Sequence, residues 1–340
     1  MRMLAVSGNL DYSGSSLCLY RFLKTVTPEH SADLLWGQLG PPSLKGAYEA
    51  AGIRVMTEAA LDSYDVVLCN SLLTGHLLQR CAARRPVLWW IHEPQFGAAM
   101  VRAGRFSPEA FAAATTIVFP TRWQATEVYR EWLTRENWTI VENGAAVDPS
   151  PRPRPQEVVP GFFNILQLGA VELRKGTDLT LAAVRRLADP AVRLIYVGPR
   201  HPNFSPSLTA EEKTRIVFAG PKTEEQVAAY LQHCDALSVP TRDDLVALAI
   251  MEALQVGLPV ASSDYGPIPE TIRHDWNGLM SPVGNAEKLA ENLARLRDNP
   301  ALRHRLAANG QQTYRERHNA AQSRDRLLRA LADTIAKGRA

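Results

Sequence analysis

Two adjacent acids, Asp243 and Asp244, stand at the entrance of an apolar stretch, Thr241–Gly257, and a third, Glu252, lies inside it. Leu245, Val246, Leu248, Ile250, Met251, Ala253 and Leu254 surround Glu252 in sequence, so an ionised carboxylate there needs a specific partner. On an ideal helix Asp244 and Glu252 stand about 80° apart; Asp244 then sits on a neighbouring face or caps the helix. Ribose and sugar hydroxyls are suitable donors for such acids. The matching cations are Arg174 and Lys175, between an apolar run and a helical stretch. There they would meet phosphate with the positive end of a helix dipole adding to their field; a surface charge pair is an equal alternative. Gly14, in SGNLDYSGSS (Ser7 to Ser16), leaves room for close backbone approach ahead of a helix. A plain strand–helix turn explains it as well. His92 and Glu93 close the run PVLWWIHE, where an imidazole could bond a substrate hydroxyl or ease charge development, although a lone His is more often structural.

The elements that must position these residues are short apolar runs alternating with helical stretches. Six runs begin at Met3, Asp33, Asp65, Pro86, Thr115 and Trp138, and five more at Phe162, Val192, Arg215, Ala236 and Leu258. Near-continuous apolar runs of this kind read as parallel strands buried on both faces. TDLTLAAVRRLAD and TEEQVAAYLQHCD space apolar residues as helices do. PSPRPRPQEVVPG, from Pro149 to Gly161, holds too many prolines to continue a helix or a central strand. The expectation is an α/β chain: a Rossmann-like domain over 1–148, a stiff linker over 149–161, a second Rossmann-like domain over 162–318, and a C-terminal helix over 319–340 packing back on the first domain. In doubly wound sheets ligands bind beyond the carboxyl ends of the strands. Two such sheets facing each other would share one cleft, with closure about the linker.

Composition narrows the class. The chain has 340 residues, 46% hydrophobic, and a formal net charge of +3, which excludes disorder and argues against nucleic acid as a partner. Cys18, Cys69, Cys81 and Cys234 lack the spacing of a metal site or a disulfide framework. MRMLAVSGNLDY is too polar for a signal peptide, and no apolar stretch reaches the ~18 residues of a membrane span. A reducing cytoplasm is expected. The basic stretch holding Arg324, Arg326 and Arg329 reads first as a solvated helix face and second as a contact with an anionic membrane surface.

In order along the chain, the residues resemble the family-4 retaining glycosyltransferases of the GT-B fold, most strongly from Asn164 to Leu296. Asp244-x7-Glu252 resembles the family's paired acids, followed by Ala253-Leu254 and Gly257-Leu258-Pro259-Val260. Gly169 to Gly176, with Lys175, resembles its phosphate element. Gly266 to Glu270, Asn277-Gly278, Asn143-Gly144, His92 and the loop around Gly14 match further positions. Ala170 replaces a frequent Arg, Asp244 is one methylene shorter than Glu, and Val246 and Ala247 replace frequent glycines.

The resemblance implies transfer of a sugar from a nucleotide-diphosphate sugar, with UDP ahead of GDP, retention of configuration and no metal. It implies Lys175, Arg174 and a helix N-terminus at Val246, Ala247 and Leu248 against the diphosphate. Glu252 is implied for the ribose, Asp244 for the donor sugar, His92 beside that sugar, and the region of Gly220 for the base. The implied acceptor is a glycan or glycolipid of a polysaccharide or cell-envelope pathway. A non-catalytic nucleotide-sugar-binding protein and a GT-B-fold epimerase are the alternatives. Oligomeric state is not legible.

Overall fold

The computed structural model describes residues 1–338. Among them, two compact units form: Met1–Gly144 together with the chain from Ala320 on, and Ala145–Asn319. The first holds a parallel sheet of seven strands: β1 Arg2–Ser7, β2 Ser31–Trp36, β3 Arg54–Met56, β4 Val66–Asn70, β5 Val87–Trp90, β6 Thr116–Phe119 and β7 Trp138–Ile140. Their spatial order is β3-β2-β1-β4-β5-β6-β7. The second holds six: β8 Phe163–Leu168, β9 Val192–Val197, β10 Ile216–Gly220, β11 Ala236–Val239, β12 Val260–Ser263 and β13 Leu279–Ser281. They lie in the order β10-β9-β8-β11-β12-β13. Both are Rossmann orders, in which the winding reverses between the first and fourth strands and opens a crevice at their carboxyl ends.

The expected strands are present, and two more complete the sheets. β3 and β13 have three residues each and pair with one neighbour, β2 and β12 respectively. RVM and LMS stand in no longer apolar run, unlike the equally short β7 within WTIV, so no apolar period marks them. The central strands are buried on both faces; Val66 through Asn70 and Val87 through Trp90 are all buried. Full burial of one such aliphatic side chain is worth roughly 1.5–3 kcal/mol, so these strands anchor their loops firmly. All four cysteines are buried thiols outside any disulfide, filling core positions.

The proline-rich segment is not a free tether. The Arg152 amide donates to Gln232 Oε1 (3.0 Å), Gln232 Nε2 donates to the Ser150 carbonyl (3.0 Å), and Arg193 Nε donates to the Glu157 carbonyl (2.6 Å). Val158 is buried. Pro149–Gly161 therefore belongs to the second unit, because its backbone groups find partners on the helix Glu224–His233 and on β9. The first unit likewise takes back the helix Ala320–Lys337, which touches β4 and β5 and buries Leu327 and Leu331.

In the second unit, the loop after β8 ends at Gly176 with φ of +69°, and a Cβ built there would lie 2.0 Å from the Pro240 carbonyl oxygen. Only glycine permits both the left-handed backbone and the approach. Gly14, at the first position of the helix Gly14–Val26, meets nothing within 4 Å. Gly176→Ala should therefore destabilise the second unit by about 2 kcal/mol or more. Gly14→Ala should leave stability unchanged or slightly raised. Urea unfolding of both variants checks the contrast; equal effects would contradict the close approach at Gly176.

Candidate active site

β8 and β11 are neighbours at the point where the second sheet reverses its winding. The loops leaving their carboxyl ends are laced together. The Arg242 amide donates to the Arg174 carbonyl (2.9 Å), as does Thr241 Oγ1 (3.2 Å). Arg242 grips Asp178 with two bonds of 2.7 Å. With Gly176 against Pro240, this lacing brings Lys175 to Asp244 across 69 residues of sequence: Lys175 Nζ donates to Asp244 Oδ2. The other carboxylate oxygen accepts from the Leu245 amide (2.9 Å). Both side chains are mostly buried, with 22% and 14% exposed, so a charge-assisted bond of this kind is stronger than one in water.

Arg174, the expected second cation, is turned to a different task. Its guanidinium donates to Glu172 Oε1 (2.6 Å) and to the Asp243 carbonyl (2.8 Å). It braces one loop against the other. Asp243, in turn, accepts from the Tyr265 hydroxyl (2.6 Å).

The helix expected to open around Asp244 begins later, at Leu248, with Ala247 as its extended N-cap residue. Asp244 lies on the laced loop and neither enters nor caps the helix, because Lys175 and the Leu245 amide hold its carboxylate. Val246 also precedes the helix. The first backbone bond to Ala247 comes from Ile250 (2.9 Å), so Leu248 and Ala249 carry first-turn amides with no acceptor inside the helix. Glu252 lies one turn further in, only 6% exposed among Ile250, Met251, Ala253 and Leu254. Gly220 ends β10 at a register shift, with φ of +72° and open space around it. Asn277, by contrast, is structural: its amide bonds the Thr271 carbonyl and Thr313 Oγ1, each at 2.9 Å.

In the first unit, His92 is buried beyond β5, its ring 4.4 Å from that of Trp90. Its Nε2 lies 3.0 Å from Asn70 Oδ1. Asn70 Nδ2 donates to the Ser15 carbonyl (3.3 Å), which orients the amide so that its oxygen faces the imidazole. Nε2 therefore carries the proton, and Nδ1 is left as an acceptor. Burial pushes the imidazole down to about 3. A neutral ring accepts a hydroxyl proton but offers no positive charge, so the expected easing of charge development is not available to it.

Sequence reading named Glu93 beside His92 without a role and passed over Asn70, Ser71 and Gln124. The Glu93 carboxylate accepts from the Ser71 hydroxyl, the Leu72 amide (3.0 Å) and the His92 amide (3.2 Å). Burial raises its pKa, against those bonds. Gln124 Nε2 bonds the carbonyls of Ile91 (3.2 Å) and Glu93 (3.1 Å). The available signal was Asn70, a polar residue closing a wholly apolar strand. Around Gly14, burial works to raise the Asp11 carboxyl, but bonds from Ser13, Asn9 and Ser16 hold it below its ordinary value.

Residues 153–313 match the family model described as glycosyl transferases group 1. That match lies wholly within the second unit. The chain is similar to the amylovoran biosynthesis glycosyltransferase AmsK of Erwinia amylovora, 33% identical over 149 residues, covering 39% of this chain and 36% of that protein. The lipopolysaccharide core biosynthesis glycosyltransferase LpsD of Rhizobium meliloti is 28% identical over 262 residues, 73% of this chain and 75% of LpsD. AmsK and the putative colanic acid biosynthesis glycosyltransferase WcaL of Escherichia coli are matched over only 36% and 38% of their lengths. Alr3699/HepE of Anabaena, solved in complex with UDP-glucose, superposes with a TM-score of 0.79 at 18% identity, over 98% of this chain and 100% of that one. The fold is thus that of the GT-B glycosyltransferases, with two Rossmann-like units in series. Among the described residues no helix is long and apolar enough to cross a membrane, and no group of three or more acids, histidines or cysteines could hold a metal ion.

Unfolding returns His92 to its ordinary value of 6.5, against about 3 in the folded unit. As pH falls, the unfolded chain takes up this proton first. His92 therefore leaves stability intact above about pH 6.5 and drains it below. His92→Asn should flatten the acid limb of urea stability between pH 6.5 and 4. An unchanged slope would mean that the imidazole titrates freely in the folded protein.

Proposed function

We propose that this chain moves a hexosyl-type sugar from a nucleotide-diphosphate sugar to a hydroxyl of a glycan or glycolipid acceptor. The transfer retains anomeric configuration, needs no metal, favours UDP over GDP as carrier, and serves a polysaccharide or cell-envelope pathway. The observation that carries the reading is the meeting of Lys175 and Asp244 at the winding reversal, directly ahead of a helix with open first-turn amides. A cation and a carboxylate at one point are what a donor needs if its diphosphate leaves while its sugar is held by hydroxyl contacts. The group 1 family match, the biosynthetic roles in the names of AmsK and LpsD, and the UDP-glucose bound to HepE support the same reading.

In this proposal Lys175 and the amides of Leu248 and Ala249 stabilise the departing diphosphate. Positive charge on Lys175 and the helix dipole thereby supply what a metal would otherwise give. Asp244 accepts from hydroxyls of the donor sugar, Glu252 from the ribose, and the backbone at Gly220 lies beside the base. Gly14 leaves the N-terminal loop open to the donor. His92, neutral, accepts from a sugar hydroxyl through Nδ1. Arg174 contributes by keeping the two loops together. A cytoplasmic location fits nucleotide-sugar use. Contact with an anionic membrane draws little from the basic C-terminal stretch, since Arg324 and Arg326 pair with Glu29 and Glu142 at 3.5 Å.

Two measurements test this. UDP should raise the melting temperature more than GDP, ADP or dTDP; at a hundred times Kd the linkage is about 2.7 kcal/mol. No shift with any nucleotide would defeat the reading. Lys175→Ala should lower kcat for transfer by roughly 10²- to 10³-fold while the chain still folds. Unchanged turnover would remove Lys175 from the leaving-group role.

A further inference from the structure

Three cations lie on the two laced loops of the second unit, Arg174, Lys175 and Arg242, and all are engaged. Arg174 bonds Glu172 and the Asp243 carbonyl. Arg242 bonds the Leu173 carbonyl (2.6 Å) and, with two further bonds, Asp178. Each guanidinium ties one loop to the other, so releasing it would open the lacing. Lys175 differs. Among the described residues its ammonium has one hydrogen-bond partner, the Asp244 carboxylate. The charge is compact and sits on a flexible four-carbon stem. Its backbone is held separately: the Lys175 carbonyl accepts from Gln167 Nε2 (3.1 Å), and the Lys175 amide donates to the Glu172 carbonyl (3.1 Å). The side chain can therefore swing away while both loops stay in place.

Asp244 is held in a complementary way. One carboxylate oxygen accepts from the Leu245 amide (2.9 Å) and the other from Lys175. The first bond keeps the carboxylate in position when the second is given up. The side chain is only 14% exposed. A carboxylate with so little water is costly to leave uncompensated, so it must find another donor or recover its lysine.

We infer that Lys175 alternates between two anions, Asp244 and the diphosphate of the nucleotide, and that the sugar on the donor decides which one it holds. With donor bound, sugar hydroxyls donate to Asp244 and leave Lys175 on the diphosphate. Once the sugar has passed to the acceptor, Asp244 loses those donors. It then competes for Lys175 against the nucleotide diphosphate left behind and weakens the hold on that product. Asp244 thus raises affinity for the donor and lowers affinity for the spent nucleotide. The inference rests on the glycosyl-transfer reading and goes beyond it by giving Asp244 a role in product release.

The test titrates the full chain with UDP and with uridine, a probe that lacks phosphate. Asp244→Asn keeps an oxygen for the Leu245 amide and removes the competing charge. It should tighten UDP by roughly tenfold, with uridine affinity unchanged. Asp244→Glu, which keeps the charge, should bind UDP as the wild type does. In a Lys175→Ala background, Asp244→Asn should gain far less, since nothing is left to compete for. Of UDP-glucose, UDP-galactose and UDP-N-acetylglucosamine, at least one should bind the wild type more tightly than UDP and lose that advantage in Asp244→Asn. If the Asn variant fails to fold, Asp244→Ser gives the same readout. UDP binding unchanged or weakened in the uncharged variant, an equal gain without Lys175, or no UDP-sugar favoured over UDP overturns the inference while UDP binding itself stands. Absence of both UDP and uridine binding in the wild type defeats the transfer reading instead.

Discussion

One charge-assisted bond, from Lys175 to Asp244, fixes the character of the second unit. Two opposite charges with little solvent can be held only where the backbone is already set, since removing either leaves the other buried and uncompensated. The setting comes from both sides: Gly176 lies against Pro240, and Arg242 and Arg174 stitch one loop to the other. The sheet supplies the rest. β8 and β11 are adjacent only because the winding reverses between them. The pair is also a self-neutralised state, so any anion drawn to Lys175 competes with a carboxylate already in place.

The first unit solves the opposite problem. Its functional candidate, His92, is kept uncharged by burial and fixed in one tautomer through Asn70. Ser71 adopts φ of +74°, a conformation that costs a non-glycine residue free energy. The bonds converging on it offset that cost: Trp89 Nε1 and Thr74 Oγ1 to its carbonyl at 2.9 and 2.8 Å, and its own hydroxyl to Glu93. One unit thus presents a fixed ion pair and the other a fixed neutral acceptor.

Much of this was legible in the sequence where a residue's meaning is local. Apolar runs marked the long strands, and polar residues at their ends marked the loops where Lys175 meets Asp244 and His92 meets Asn70. β3 and β13 were not legible, since RVM and LMS stand in no longer apolar run, whereas β7, equally short and also at an edge, lies within WTIV. The helix starts at Leu248, within the expected N-terminus Val246–Leu248, while Asp244 looks like a cap until Lys175 claims it. Arg174 reads equally as a phosphate ligand or as half of a surface charge pair, and its guanidinium bonds Glu172 and the Asp243 carbonyl. Pro149–Gly161 looked like a linker because proline content reports what a segment cannot form, not where its carbonyls find donors. Lys175 with Asp244, Arg174 with Asp243, and Arg152 with Gln232 are contacts between residues far apart in the chain, which no local pattern shows.

The return of the helix Ala320–Lys337 to the first unit has a consequence for how the protein is made. Ser323 Oγ bonds the Glu142 carbonyl at 2.7 Å and Thr334 Oγ1 bonds Thr116 Oγ1 at 2.9 Å, while Leu327 and Leu331 bury against the unit they rejoin. The ribosome releases this helix only after every residue of the second unit. Synthesis normally lets the leading domain fold first. Here the trailing unit is the first that can finish. The leading one waits with the ground of its last helix uncovered, a birth order inverted with respect to the sequence.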